Sequence, residues 1–208
     1  MPVTPVETPS GPARLHIEGS GPARLVLGHG AGGGVDAPDL LAARDAGLAL
    51  GLQVVRVEQP WRVRGRRVAE APPRLDAAWR ACLAVLPPLP CVLGGRSAGA
   101  RVACRTAAAV DGVRGVLCLA FPLLPPRGTG SRDAELDLPA VPRLVVQGER
   151  DAFGVPVARP GLAVHVVAGA DHAFAVRRRD GRTAERVADE LRAVVGDWLA
   201  QTLAQTLT

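Results

Sequence analysis

The sequence predicts an α/β fold: a three-layer sandwich whose sheet is mostly parallel and carries an antiparallel hairpin at its N-terminal end. Short runs such as residues 113–121 are apolar at nearly every position, which is typical of strands buried on both faces. These runs alternate with helical stretches along most of the 208 residues. In such sheets ligands bind beyond the carboxyl ends of the strands, so the residues that follow each strand are the candidates for function.

Each predicted element has a local signal. Two similar stretches, 11–15 and 21–25, each lead into a strand (15–18 and 24–27), and the glycine-rich turn between them predicts one antiparallel hairpin. Strands are then predicted at 54–57, 91–93, 113–121, 141–147 and 162–167, and helices at 39–52, 75–86, 96–110 and 183–203. Residues 1–12 are rich in Pro and Thr and are interpreted as a flexible N-terminal arm, and residues 13–208 as a single domain.

Composition narrows the possible partners and location. All 25 basic residues are arginine, the net charge is +5, and only 3% of the residues are aromatic. Arginines cluster at 62–67 and 177–179. Nucleic-acid binding is not expected, because the sequence contains no motif that reads a nucleic-acid groove. No apolar run reaches the roughly 18 residues of a membrane span, and the first residues lack a signal-peptide pattern. We therefore expect a cytoplasmic protein without a membrane partner.

The pentapeptide Gly95-Arg96-Ser97-Ala98-Gly99 is the most informative motif. It follows a predicted strand and precedes a predicted helix, the context in which G-x-S-x-G forms a nucleophile elbow. The flanking Gly95 and Gly99 allow the strand and helix to approach closely, while Ser97 projects above the sheet. The pattern predicts Ser97 as a nucleophile for attack on a carbonyl.

A nucleophilic serine needs a base and an acid that orients it. Of the four histidines, His16 and His165 lie within predicted strands, whereas His172 follows the strand 162–167 and a short loop, at the edge where Ser97 lies, and is predicted as the general base. Three carboxylates compete for the third position. Asp151 is preferred, Glu149 is the reserve, and Asp171 is adjacent in sequence to the base and poorly placed to reach its ring.

The glycine-rich run 28–34 follows an early strand and lets the backbone approach a ligand. The backbone N–H groups of Ala31 and Ala98 are predicted as the oxyanion hole, with Gly30 and His29 supporting the loop. A nucleotide phosphate loop is the alternative, but neither the Lys-Ser/Thr of a Walker motif nor a suitable acidic residue follows. Arg96 and Phe174 are candidate substrate-binding residues. No metal or organic cofactor is implied.

With these residues the chain resembles the α/β-hydrolase superfamily, and within it the short, capless group related to dienelactone hydrolases and to a subunit of an animal histone-acetylation complex. The chain order Ser97, Asp151, His172 is that of the superfamily. The resemblance implies a serine nucleophile, an acid, a base and two oxyanion donors at the positions named above. Dienelactone hydrolases proper have cysteine where this chain has Ser97, so lactone activity is not carried over. The matching segments are 28–33, 94–101, 147–154 and 171–174.

Two functions are compatible with this sequence. The first is hydrolysis of a small carboxylic ester or thioester through an acyl-enzyme on Ser97, in a monomer or homodimer. The second is a catalytically silent binding or assembly module that keeps the fold, as the chromatin-associated relatives suggest. Haloperoxidase-like or acyltransferase chemistry on the same scaffold is a smaller alternative.

Overall fold

The sheet has eight strands in the order β1-β2-β4-β3-β5-β6-β7-β8, in a computed structural model that describes residues 3–66, 68–126 and 129–207. The strands are β1 (Val3–Thr8), β2 (Gly11–Glu18), β3 (Arg24–Gly28), β4 (Gln53–Glu58), β5 (Cys91–Arg96), β6 (Val113–Leu119), β7 (Arg143–Gly148) and β8 (Leu162–Val167). β2 pairs antiparallel with β1 and β4, and every later pairing is parallel. The predicted three-layer α/β architecture with an N-terminal antiparallel hairpin is confirmed.

Helices cover both faces of the sheet. They are α1 (Pro38–Ala49), α2 (Pro60–Val63), α3 (Pro72–Ala84), α4 (Ala98–Thr106), α5 (Asp133–Leu136), α6 (Ala184–Thr202) and α7 (Ala204–Leu207). Apolar residues of α1 and α6 form one core cluster with one face of the sheet, and those of α3 and α4 form the other cluster with the opposite face. Over the described residues no segment forms a cap domain above the sheet.

The sequence of α6 shows how these faces arise. Val187, Leu191, Val195 and Leu199 recur every fourth position, which places them on one side of a helix, and all four are buried. The helix begins where the Thr183 side chain accepts a hydrogen bond from the Arg186 backbone N–H, which satisfies one of the free donors of the first turn. The predicted helix at 183–203 is confirmed to within one residue at each end.

The helix that follows the elbow is shorter than predicted. The sequence pattern gave 96–110, whereas α4 spans Ala98–Thr106 and continues as one 3₁₀ turn, Ala107–Ala109. Arg96 belongs to β5, and the left-handed backbone of Ser97 (φ 51°) separates strand from helix. α1 and α3 likewise begin at prolines, Pro38 and Pro72, slightly before their predicted starts, because proline fits the first helical position.

The N-terminal segment differs from its prediction as a flexible arm. Residues 3–8 form β1, an edge strand whose residues pair with β2 from Val3 opposite His16 to Thr8 opposite Gly11. Val6 is 5% exposed and joins the core, which gives this strand a packing contribution despite its Pro and Thr content. Pro5 is compatible with the strand because an edge strand leaves one side of its backbone unpaired.

The predicted hairpin has different members from those expected. β2 was predicted to pair with β3, but the hairpin is formed by β1 and β2, and β2 pairs on its other side with β4. β3 inserts between β4 and β5. The burial of the strands explains this, because all five residues of β3 are buried, as a central strand requires, while β2 is only partly covered.

Two long connections contain short helices. The segment 59–73 includes α2, and the segment 122–139 includes α5. Arg67 of the first arginine cluster and residues 127–128 of the second connection lie outside the described residues. In the part of the chain that the structure describes, none of the helices combines the length and the apolar character that a bilayer crossing needs.

Candidate active site

The candidate site lies where the carboxyl ends of four parallel strands meet. β3 leads into the loop of His29 and Ala31, β5 into Ser97, β7 into Asp151, and β8 into His172. Because parallel strands end at the same edge, residues far apart in sequence arrive together. The structure thus brings the sequence-predicted nucleophile, acid and base to one rim of the sheet.

Ser97 has the strained backbone expected of an elbow. Its φ of 51° and ψ of −107° lie outside the regions that L-residues prefer, at a typical cost of about 1–3 kcal/mol. Its N–H donates to the Leu119 carbonyl oxygen at 2.9 Å. The flanking glycines lie against β3: a Cβ on Gly95 or Gly99 would lie 2.3 Å or 2.2 Å from the Gly28 carbonyl oxygen. Only glycine permits this approach, so the sequence prediction for both positions agrees with the packing.

Three side chains form a hydrogen-bonded series. The Ser97 Oγ is 3.1 Å from His172 Nε2, and His172 Nδ1 is 2.8 Å from Asp151 Oδ2. The Asp151 side chain is fully buried. Because a carboxylate oxygen only accepts, Nδ1 carries the proton that it donates to Asp151, and Nε2 is the acceptor for the serine hydroxyl. The second oxygen, Oδ1, accepts from the Phe153 backbone N–H at 2.8 Å. This geometry is suited to removing the proton from Ser97.

The competing carboxylates have other partners. Glu149 accepts a hydrogen bond from the Gly169 N–H at 2.7 Å. Asp171 Oδ1 accepts from the backbone N–H groups of Ala173 and Ala175 at 2.8 Å and 3.0 Å, which fixes the turn that presents His172. Both therefore stabilise the loop around the base, and Asp151 is the carboxylate in contact with the histidine.

Gln147, at the end of β7, was not predicted as part of the site. Its side chain is fully buried, and the two N–H groups of Nε2 are shared among three acceptors: Asp151 Oδ2 at 2.7 Å, the Gly154 carbonyl oxygen at 2.9 Å and the Phe121 carbonyl oxygen at 3.0 Å. The reversed amide would set Oε1 against three acceptor oxygens, which fixes the orientation. Gln147 thus holds the acid in place and adds a donor to the carboxylate that supports His172.

Arg96, predicted as a candidate substrate-binding residue, lines the cavity but is engaged on its other side. Its Nη2 donates to the His172 carbonyl oxygen at 3.1 Å, and its Nε lies 3.0 Å from Asp39 Oδ2. The Nε–H does not point at that oxygen closely enough for a hydrogen bond, so the contact is an ion pair. Asp39 is 4% exposed, and burial raises the pKa of its carboxyl against the opposing effect of Arg96. The pair connects α1 to the loop of the base.

His29 has the supporting role that the sequence predicts. It is buried against Trp61, its Nδ1–H donates to the Gly30 carbonyl oxygen at 2.9 Å, and its Nε2 accepts from the Gln59 N–H at 3.1 Å. Acceptance at Nε2 needs the neutral ring, and burial lowers the pKa of His29. The histidine therefore joins the loop after β3 to the loop after β4.

A cavity of about 510 Å³ opens above Ser97 and His172. Ala31 and Ala98 both line it, and Ala98 is the first residue of α4, where backbone N–H groups lack an intrahelical acceptor. Phe174 does not line it: the side chain is 5% exposed and packs in the core with residues of α6, which corrects its prediction as a substrate-binding residue. The aromatic residue that lines the cavity is Phe153, with its ring edge-to-face on His172 at a centroid distance of 4.6 Å.

Comparison with known proteins agrees with this geometry. The family profile described as the alpha/beta hydrolase domain matches residues 21–200. The chain belongs to this family. Curated protein sequences gave no match. The four short motifs predicted the α/β-hydrolase superfamily from the sequence. The match over residues 21–200 confirms that prediction.

Solved α/β-hydrolase structures match over nearly the whole chain. An alpha-beta serine hydrolase homologue from Coxiella burnetii has a TM-score of 0.74 at 20% identity, covering 96% of this chain and 97% of that chain. XC6422 from Xanthomonas campestris, described as an a/b serine hydrolase without lid, has a TM-score of 0.73 at 19% identity, covering 98% and 94%. Est1E from Butyrivibrio proteoclasticus has a TM-score of 0.73 at 11% identity, covering 97% and 99%. At these identities the similarity establishes the fold.

Proposed function

We propose that this α/β-hydrolase is a serine hydrolase that cleaves a carboxylic ester or thioester through an acyl-enzyme on Ser97. The observation that carries the proposal is the series from Ser97 Oγ to His172 Nε2 (3.1 Å) and from His172 Nδ1 to Asp151 Oδ2 (2.8 Å). A serine hydroxyl is a weak nucleophile unless a base removes its proton as it attacks. Membership of the family and the cavity above Ser97 support the same conclusion.

The reaction follows from the positions of these atoms. His172 Nε2 takes the Ser97 proton while Oγ attacks the substrate carbonyl carbon, and the carbonyl oxygen becomes an oxyanion. Asp151 stabilises the imidazolium that forms. His172 then gives the proton to the departing alkoxide or thiolate, which leaves the acyl group on Ser97. Water, deprotonated by His172, attacks the acyl carbon, and collapse of the second tetrahedral intermediate releases the acid and restores the serine.

We assign the oxyanion hole to the backbone N–H groups of Ala31 and Ala98. Both residues line the cavity beside Ser97, one on the glycine-rich loop after β3 and the other at the start of α4. The positive end of the α4 dipole lies at the same point. Each such donor contributes about 3 kcal/mol to stabilisation of the transition state.

Labelling with a fluorophosphonate probe tests the proposal. We expect stoichiometric modification of the wild-type chain at Ser97 and its loss in Ser97→Ala, whereas Ser20→Ala, a change at an exposed serine, labels as wild type. His172→Gln should slow labelling by at least about a hundredfold, because the general base is removed. Equal labelling of wild type and Ser97→Ala would refute the proposal. Absence of labelling and of ester hydrolysis in the wild type would favour a catalytically silent binding module.

A further inference from the structure

The wall of the Ser97 cavity carries arginines and no carboxylate among the residues that the structure describes. Its polar side chains are those of Arg96, Ser97, Arg101, Arg132 and His172. Three of these are guanidinium groups, and the remaining lining is apolar apart from the nucleophile, the base and backbone groups. Whether the cavity favours an anion depends on how fully the three cations are neutralised from behind.

Two of the three cations are paired with carboxylates. Arg96 is paired with the buried Asp39. Arg101 donates through Nε and Nη2 to the two oxygens of Glu135, at 2.8 Å and 2.7 Å. Arg105 lies behind it and donates in the same two-point manner to Asp76, at 2.9 Å and 2.6 Å. The pairings of Arg101 and Arg105 are bidentate and strong, so Glu135 and Asp76 are already engaged.

Arg132 is different. Its Nη1 donates to the carbonyl oxygens of Pro122 and Leu124, at 3.0 Å and 3.4 Å, and over the described residues its guanidinium has no carboxylate within ion-pair distance. Burial lowers the pKa of Arg132, and the charges of Arg101 and Arg105 lower it further, with only Glu135 opposing them. The cavity therefore holds one positive charge that the protein itself does not pair.

We propose that the substrate of this site carries an anionic group of the carboxylate or phosphate type and that Arg132 binds it. The inference rests on the proposed ester or thioester hydrolysis and adds its substrate class. A guanidinium suits this role because its planar edge meets two oxygens of either anion at once. The carbonyl bonds of Nη1 orient the side chain and leave the Nε and Nη2 donors for the ligand.

Two matched pairs of chromogenic esters test the proposal and locate the anion. The first pair compares mono-p-nitrophenyl adipate with methyl p-nitrophenyl adipate, which differ by a carboxylate on the acyl chain. The second pair compares 3-carboxy-4-nitrophenyl acetate with p-nitrophenyl acetate, which differ by a carboxylate on the leaving group. In at least one pair we expect wild-type kcat/KM to favour the charged ester by about tenfold or more at low salt. The preference should shrink as salt is added, because screening weakens the ionic contact.

Variants assign the effect to one residue. Arg132→Gln should lower kcat/KM for the preferred charged ester by about tenfold to a hundredfold more than for its neutral partner. Arg132→Lys should keep part of the preference, because it retains the charge without the planar edge. The matched control is Arg159→Gln, which removes a charge of the same sign whose contacts are with Asp133 and Asp137 and which does not line the cavity.

The outcomes separate this inference from the function on which it rests. Ser97-dependent hydrolysis with no charged-ester preference in either pair, or a preference that survives in Arg132→Gln, would overturn it while the serine hydrolase stands. Equal losses on charged and neutral esters in both Arg132 variants would also overturn it, since the residue would then be only structural. Absence of hydrolysis and of phosphonate labelling in the wild type would refute both.

Discussion

Replacing Arg96 by methionine separates two effects that this side chain combines. Arg96 stabilises the buried Asp39 through an ion pair, and it holds the His172 carbonyl oxygen through Nη2. Methionine keeps much of the aliphatic length but provides neither contact. We therefore expect Arg96→Met to lose stability through Asp39 and to lose turnover through His172.

The burial of Asp39 determines how the loss of stability in Arg96→Met changes with pH. Removing one partner of a buried pair costs about 3–5 kcal/mol when the remaining charge cannot be neutralised. Burial already raises the pKa of Asp39 in the presence of Arg96, and the variant raises it further. Between the unfolded and folded pKa values the folded chain holds a proton that the unfolded chain has released. Consequently the free energy of unfolding falls with rising pH, by up to about 1.36 kcal/mol per pH unit.

Urea unfolding from about pH 4, near the unfolded pKa of an aspartate, to about pH 8 measures this slope. Arg96→Met should be close to wild type at the acid end and least stable at the alkaline end. The double variant Arg96→Met/Asp39→Asn should lose the added slope and regain most of the stability. Turnover of a neutral ester should stay lowered in both variants by about tenfold to a hundredfold, because both lack the hydrogen bond from Arg96 Nη2 to the His172 carbonyl oxygen.

Two results would refute this reasoning. Wild-type and Arg96→Met stability curves that run parallel across the pH range would show that Asp39 is not the group left uncompensated. Unchanged kcat in Arg96→Met would show that Nη2 does not position His172, and Arg96 would then be a structural residue only.

Three further predictions address the framework of the site. Gly99→Ala should destabilise the fold by about 3 kcal/mol in urea unfolding, because its Cβ would lie 2.2 Å from a backbone oxygen of β3. The control Gly33→Ala should be near neutral, because its Cβ would have no atom within 4 Å. Equal effects of the two changes would contradict the packing argument. Gln147→Met should slow fluorophosphonate labelling by about tenfold by releasing the acid, and a wild-type rate would show that its hydrogen bond is not needed. Burial lowers the pKa of His29, so below about pH 6.5 the unfolded chain binds a proton that the folded chain does not. The free energy of unfolding should therefore fall by up to about 1.36 kcal/mol per pH unit as the pH decreases, and His29→Gln should remove that part of the slope.

The residues of the hydrogen-bonded series were predictable because each follows a strand. A parallel sheet brings strand ends to one edge, so Ser97, Asp151 and His172 were identified from order and context alone. Adjacency to the histidine argued only against Asp171. Asp151 was preferred over Glu149 with no deciding signal in the sequence, and the contact of Asp151 with His172 selects it. The glycines at 95 and 99 were predictable because a close strand–helix approach excludes a Cβ.

The features that sequence analysis missed depend on contacts between distant elements. Asp39 reads as an ordinary acidic residue in the first turn of a helix, and its pairing with Arg96 exists only once α1 packs beside the elbow. Phe174, two residues after the base in sequence, has a φ of 56° and its side chain lies in the core. The aromatic ring in contact with His172 is instead that of Phe153. β1 was missed because its proline is typical of loops, whereas an edge strand tolerates proline and threonine favours strands.

Trapping the covalent intermediate tests the central claim most directly. Wild-type protein mixed with p-nitrophenyl acetate, acid-quenched during the first turnover and analysed by intact-mass and peptide mass spectrometry should carry one acetyl group, located on Ser97, and Ser97→Ala should carry none. Steady hydrolysis that Ser97→Ala retains, or an acetyl group on another residue in the wild type, would contradict an acyl-enzyme at the elbow.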